Sequence, residues 1–210
     1  NVMVGEKVSI VSPKPQTTRD RILGVLTKAD YQLVFVDTPG IYKAKNTLTD
    51  RMMRTTEESA KSVDFLLYVL DGHEGVRDED FALINKYKAL GIPMAVAYTK
   101  IDIMPRENIP LDMAKFADSG VDLDVFPVSA RKGTNMRKLE EFLVSRMPEG
   151  EKVFEQEIVS DKSERFMIAE IMREKILLKY DKEIPHGVAI VINTFRRGEN
   201  GVYEISLDIV

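Results

Sequence analysis

The chain contains no cysteine and no tryptophan, and only two histidines among its 210 residues. Without cysteine there is neither a disulfide framework nor a thiolate metal site. His73 lies in a polar loop after Asp71-Gly72 and His186 follows a proline, so the pair suggests surface and structural roles rather than a metal site. No apolar run approaches the roughly 20 residues that a membrane-spanning helix needs. No secretory leader pattern opens the chain. A strong charge of one sign is also missing. The formal net charge of −4 argues against holding nucleic acid by charge alone, although a local basic groove stays open, since phosphate contact depends on where charges lie.

What is present is an ordinary folding composition, 44% hydrophobic and 30% charged. The length suggests one large or two modest domains. The chain opens in mid-pattern at Asn1 with no initiator Met, and it stops within the alternating apolar run from Tyr203 to Val210. The expectation is a trimmed piece of a longer protein.

Local patterns divide the chain in two. Pro13 to Thr18 reads as an irregular loop, because two prolines oppose regular structure. Residues 22–27 and 32–36 are short apolar runs around Lys28-Ala29-Asp30, which predicts a hairpin. Helical spacing covers 47–63. Phe65 to Leu70 is a continuous apolar run, expected to be a strand buried on both faces. A helix over 78–90 ends at Gly91, a second buried strand covers 93–98, and a helix covers 110–119. A short strand over 124–128 and a helix over 135–146 follow. Strands alternating with helices imply an α/β fold, a mostly parallel sheet with helices on both faces. Its connections would be right-handed, with 22–36 as an antiparallel edge. Met147 to Glu151 reads as a linker. Beyond it the pattern becomes α+β: a long helix over 164–180, then strands over 188–194 and 202–210. Asn200-Gly201 between these strands tolerates positive φ and suits a tight turn. The expected domains are residues 1–147 and 148–210.

Three short segments follow predicted strands: Asp37-Thr38-Pro39-Gly40, Thr99-Lys100-Ile101-Asp102, and Ser129-Ala130-Arg131-Lys132-Gly133. Ligands of open α/β sheets bind outside the carboxyl ends of strands, so the expectation is that the three share one crevice. Asp37 suits a Mg²⁺ shell, which takes few carboxylates and keeps waters. Gly40 lets its backbone N–H approach a terminal phosphate. Asp102 can accept two hydrogen bonds from an amidine-like base edge, which guanine offers and adenine does not. The Lys100 stem can lie along a base or ribose, and Ser129 and Ala130 can offer backbone donors to a carbonyl. Singly, each segment also reads as a plain turn or solvated loop. Their joint order is what carries meaning.

That order, Asp-x-x-Gly, then x-Lys-x-Asp, then Ser-Ala, is similar to that of the translation-factor-class GTPases. The stretch from Lys7 to Arg19 resembles switch I of Era-type GTPases. Pro39-Gly40-Ile41, residues 164–175 and Glu183-Ile184-Pro185-His186 resemble the same family, the latter two in its RNA-binding KH-type domain. The resemblance implies a P-loop-type nucleotide domain followed by a partial KH-like domain, with GTP/GDP and Mg²⁺ as ligands. Thr18, rather than Thr17, would close over the γ-phosphate and Mg²⁺, and Asp37 would hold Mg²⁺ through water. Gly40 would sense the γ-phosphate. Ile41 stands where many small GTPases carry a water-orienting glutamine, so no catalytic residue is assigned and intrinsic turnover should be slow. The implied partners are small-subunit ribosomal RNA and the 30S subunit, whose assembly the protein would serve. It would act as a cytoplasmic monomer, with peripheral membrane association as a further family expectation.

The chain departs from the family pattern in three places. No Gly-x-x-x-x-Gly-Lys-Ser/Thr phosphate loop occurs in it, so this piece alone should be inactive. Thr99 stands where the family has an Asn that braces the base-binding loop. No Gly-x-x-Gly loop, which clamps nucleic-acid backbone in KH domains, occurs by Val210. Residues 151–210 carry more acidic than basic groups, and Arg196-Arg197 reads first as a solvated turn. Lys43 and Lys45, beside Asn46, read as ordinary loop charge. Two alternatives therefore stand: a nucleotide-independent RNA-binding scaffold with a degenerate switch domain, and a different enzyme on the same fold, such as a tRNA-modification GTPase. The helix from Glu164 and its following strands argue against the latter.

Overall fold

The computed structural model describes residues 1–41, 47–180, 188–198 and 200–210. In chain order the elements are β1 (Ile22–Thr27), β2 (Gln32–Asp37), α1 (Thr47–Ala60), β3 (Leu66–Asp71), α2 (Asp78–Lys88), β4 (Met94–Thr99), α3 (Asn108–Asp118), β5 (Asp124–Pro127), α4 (Met136–Arg146), α5 (Glu164–Lys179), β6 (Ile190–Arg197) and β7 (Tyr203–Ile209). They form two compact units. One holds Met3–Glu57 together with Val153–Val210, and the other Glu58–Lys152.

The unit 58–152 is built on a three-stranded parallel sheet in the order β3-β4-β5. The central strand β4 has Met94 through Tyr98 buried, because it is flanked on both sides. β3 was expected to be buried on both faces but is not: at this edge Val69 is 64% exposed. Helices supply the rest of the core through Ile84, Phe116, Leu139 and Leu143. Phe81 meets Phe116 edge-on at 5.3 Å, and Phe126 meets Phe142 at 4.6 Å. Helix α2 carries Asp78, Glu79 and Asp80 in its first turn and Lys86 and Lys88 in its last, which suits the helix dipole at both ends. Gly91, with φ of +73°, ends this segment as expected.

The other unit begins with the predicted hairpin. β1 and β2 are antiparallel, with Ile22 opposite Asp37. The free edge of β1 is covered by the segment leading into α5: Val25 N–H donates to the Val159 carbonyl at 2.9 Å, and Leu23 N–H to Asp161 Oδ1 at 2.9 Å. Gln32 Oε1 accepts from the N–H groups of Val153 and Phe154, both at 2.9 Å. Ser163 caps α5, its hydroxyl accepting from Phe166 N–H at 3.3 Å. β6 and β7 pair antiparallel, with a register shift between Ile192 and Thr194. Gly201 supplies the positive φ of 79° that their turn requires. Arg196 and Arg197 lie on β6 itself rather than in the turn.

Along α5, Ile171 is 36% exposed, whereas Arg173 and Glu174 are buried. The reason lies in what this face meets. Residues 7–19 have no ladder of their own, and their backbone needs polar partners.

Candidate nucleotide site

The base-binding candidates lie together in the unit 58–152. Thr99 ends β4, and its hydroxyl donates to the Leu70 carbonyl at 2.9 Å. Lys100 takes a left-handed backbone, φ 62°, which is uncommon for a side chain of this size. Its ammonium meets Asp71 Oδ2 at 2.5 Å, so the end of β4 is clipped to the end of β3. Asp102 follows in a turn. The Ser129 hydroxyl donates to Asp102 Oδ1 at 2.7 Å. That bond, helped by Arg131 and Lys132 nearby, holds the Asp102 carboxyl below its ordinary range.

Ser129 is fully buried and is itself positioned. Its N–H donates to the Thr134 carbonyl at 3.1 Å, and its oxygen accepts from Lys132 N–H at 3.0 Å. The Asn135 amide reaches back to the Pro127 carbonyl at 2.7 Å, which fixes the loop at the start of α4. Ala130 and Arg131 are exposed at the turn. The arrangement holds one ionised carboxylate with its Oδ1 oriented by the Ser129 hydroxyl. That geometry can take paired N–H donors from a planar base edge.

The phosphate-end candidates belong to the other unit. Asp37 closes β2. Burial pushes its carboxyl above the ordinary value, and the Ser9 hydroxyl and Thr38 N–H beside it offset only part of this. Ser9 Oγ is buried without a hydrogen bond of normal geometry. A desolvated carboxylate with so few donors gains from a cation, so the residues fit a Mg²⁺ held through water. Pro39 is buried, and its carbonyl accepts from the Thr56 hydroxyl of α1 at 2.9 Å, which fixes the turn before the exposed Gly40 and half-buried Ile41. The Thr17 hydroxyl donates to the Lys14 carbonyl at 2.7 Å. Lys43, Lys45 and Asn46, and the stretch 183–186 with His186, lie outside the described residues.

The segment 7–19 packs on α5, a feature that residue periodicity did not reveal. Lys7 Nζ donates to Glu174 Oε2 at 2.6 Å, and Val11 N–H to Glu174 Oε1 at 2.9 Å. Arg173 Nη2 donates to the Thr17 carbonyl at 2.6 Å, Arg19 Nη1 to the Val188 carbonyl at 2.8 Å, and Lys14 Nζ to the Tyr180 carbonyl. The available signal was charge at positions 173 and 174, on the helix stripe that should be apolar.

Residues 1–100 match the family described as 50S ribosome-binding GTPase. With the parallel sheet and the curated relatives, this defines the class: a GTP-hydrolysing enzyme of α/β nucleotide-binding architecture. The chain is 39% identical over all 210 residues to GTPase Era of Clostridium kluyveri, of which it covers 72%. A point variant of Aquifex aeolicus Era bound to GDP·AlF4− is similar with a TM-score of 0.92 and 34% identity, over 100% of this chain and 72% of that one. Era in complex with MgGDPNP and nucleotides 1506–1542 of 16S ribosomal RNA gives a TM-score of 0.93 at 34% identity with the same coverage. The chain belongs to the Era GTPase family.

Proposed function

We propose that this protein is a guanine-nucleotide switch that hydrolyses GTP and uses its nucleotide state to govern binding of small-subunit ribosomal RNA. The observation that carries the guanine part is the Ser129–Asp102 bond at 2.7 Å. It keeps Asp102 ionised and oriented to accept from N1–H and the 2-amino group of guanine, whereas adenine presents an acceptor at N1 and no 2-amino group. The Lys100 stem lies along the base, and the backbone after Ser129 donates to its carbonyl. By likeness to the family, Asp37, Thr18 and Gly40 would serve the phosphates and Mg²⁺. Bound Mg²⁺ would neutralise charge on the β- and γ-oxygens. Ile41 has no group that can align water, so this chain supplies no water-orienting side chain there and turnover is slow without a partner.

The RNA part is supported by the related Era held on a 16S fragment. Residues 148–210 are the proposed KH-type portion and residues 1–147 the nucleotide domain. Participation in 30S assembly, a cytoplasmic location and a monomeric state complete the reading. Among the described residues no helix is long and apolar enough to cross a membrane. Peripheral membrane association remains part of the proposal.

The test is binding of the full-length protein to a 16S 3′-end RNA in the presence of GDPNP or GDP. Tighter binding in one state supports the switch. Equal RNA binding in both states, or binding that ignores nucleotide altogether, favours the nucleotide-independent scaffold.

A further inference from the structure

Tyr98 is the last fully buried side chain of β4, immediately before the base-binding loop. Its hydroxyl donates to Asp112 Oδ2 of α3 at 2.5 Å, and the Gly72 carbonyl at 3.2 Å shares that one proton. Asp112 is itself 5% exposed, and Lys115 reaches its other oxygen at 2.8 Å. An apolar pair would fill this space with no desolvation penalty, whereas a buried carboxylate is costly unless fully partnered. The groups it joins show what the arrangement gains. Gly72 directly follows Asp71, which clips Lys100. A Cβ at Gly72 would stand 2.6 Å from the Thr99 carbonyl and 2.8 Å from the Tyr98 ring. The turn after β3 is therefore packed without clearance against the backbone that enters the loop. Thr99 contributes a single hydroxyl bond to Leu70.

We propose that Tyr98 and Asp112 are positioning residues for base recognition: the Asp112–Tyr98–Gly72 contact braces the Thr99–Asp102 loop in this chain, where threonine replaces the family's asparagine. The residues touch no base. They act by fixing the backbone that aims Asp102, and the inference rests on Asp102 being the base acceptor.

The test compares GDP with IDP, which lacks the 2-amino group and so loses one of the two bonds to Asp102. Affinities for both are measured on the full-length protein and on Y98F, D112N, T99N, Y98F/T99N and D102N, each with its melting temperature. Tyr98→Phe and Asp112→Asn should compress the GDP/IDP preference by roughly tenfold, the scale of one well-placed hydrogen bond. Thr99→Asn should restore the preference in the Tyr98→Phe background, because the amide supplies an independent brace. A lower melting temperature with an unchanged GDP/IDP ratio would mean that Tyr98 only satisfies the core, and the bracing would be overturned. A loss in Tyr98→Phe that Thr99→Asn cannot rescue would overturn it as well. If Asp102→Asn itself leaves the ratio unchanged, the base reading falls and the bracing with it. If Asp102→Asn collapses the ratio while Tyr98→Phe and Asp112→Asn do not, the bracing alone fails.

Discussion

Replacing Lys7 by methionine should destabilise the protein in a pH-dependent way. The Glu174 side chain is 6% exposed and that of Lys7 48%. Burial alone would push the Glu174 carboxyl up. The hydrogen bonds from Lys7 and Val11 N–H, with the charges of Lys7 and Lys175, outweigh it and hold the group below its ordinary value of 4.5. In the native protein the carboxylate therefore adds stability above that value, and this is lost as pH falls through the lower folded-state pKa. Lys7→Met removes the strongest donor and leaves burial in command, so the folded-state pKa of Glu174 rises above its unfolded value. At neutral pH the variant then carries an under-compensated buried charge. Breaking a fully buried pair costs about 3–5 kcal/mol. Val11 N–H remains and Lys7 is half in solvent, so about 2 kcal/mol is expected here. The penalty should shrink on acidification, since protonation of Glu174 removes the buried charge. Urea unfolding at about pH 7.5 and about pH 5 would measure it. Adding Glu174→Gln to Lys7→Met should recover stability at the higher pH, because glutamine can still accept from Val11. An equal penalty at both pH values, with no recovery in the double variant, would refute the reasoning.

Three further outcomes are expected. Ser129→Ala removes the bond that holds Asp102 down, so guanine-nucleotide affinity should fall about tenfold, and its loss on acidification should begin at higher pH; titration calorimetry across pH would show both. Gly72→Ala forces a Cβ to within 2.6 Å of the Thr99 carbonyl, and should cost about 1–3 kcal/mol together with nucleotide affinity, read by thermal melting and fluorescent-nucleotide binding. Ile84→Ala opens a cavity beneath α2, where Ile84 is fully buried; it should cost about 2–5 kcal/mol in denaturant unfolding with no change in GTP-over-ATP preference.

Much of this was legible in the sequence, for identifiable reasons. The hairpin 22–37, the parallel strands and the five helices follow from periodicity and turn residues, which are local signals. Asp102 and Ser129, which the structure joins at 2.7 Å, stand in strand-end loops, where ligands of open α/β sheets bind. The misreadings concern what covers a surface. The run 65–70 is apolar throughout, yet β3 is the edge of its sheet and Val69 faces outward, while β4 alone has both faces covered. On α5, the buried Arg173 and Glu174 meet the irregular segment 7–19, whose backbone groups need polar partners. Tyr98 and Asp112 stand 14 residues apart, and nothing local to either reveals that they meet.

Asp102, aimed by Ser129, is proposed to make this a guanine-selective site. Equilibrium competition of GTP and ATP for the full-length protein with Mg²⁺ present tests it most directly. GTP should displace a bound guanine nucleotide at far lower concentration than ATP, by at least a hundredfold for two directed hydrogen bonds. Equal displacement by both would contradict it.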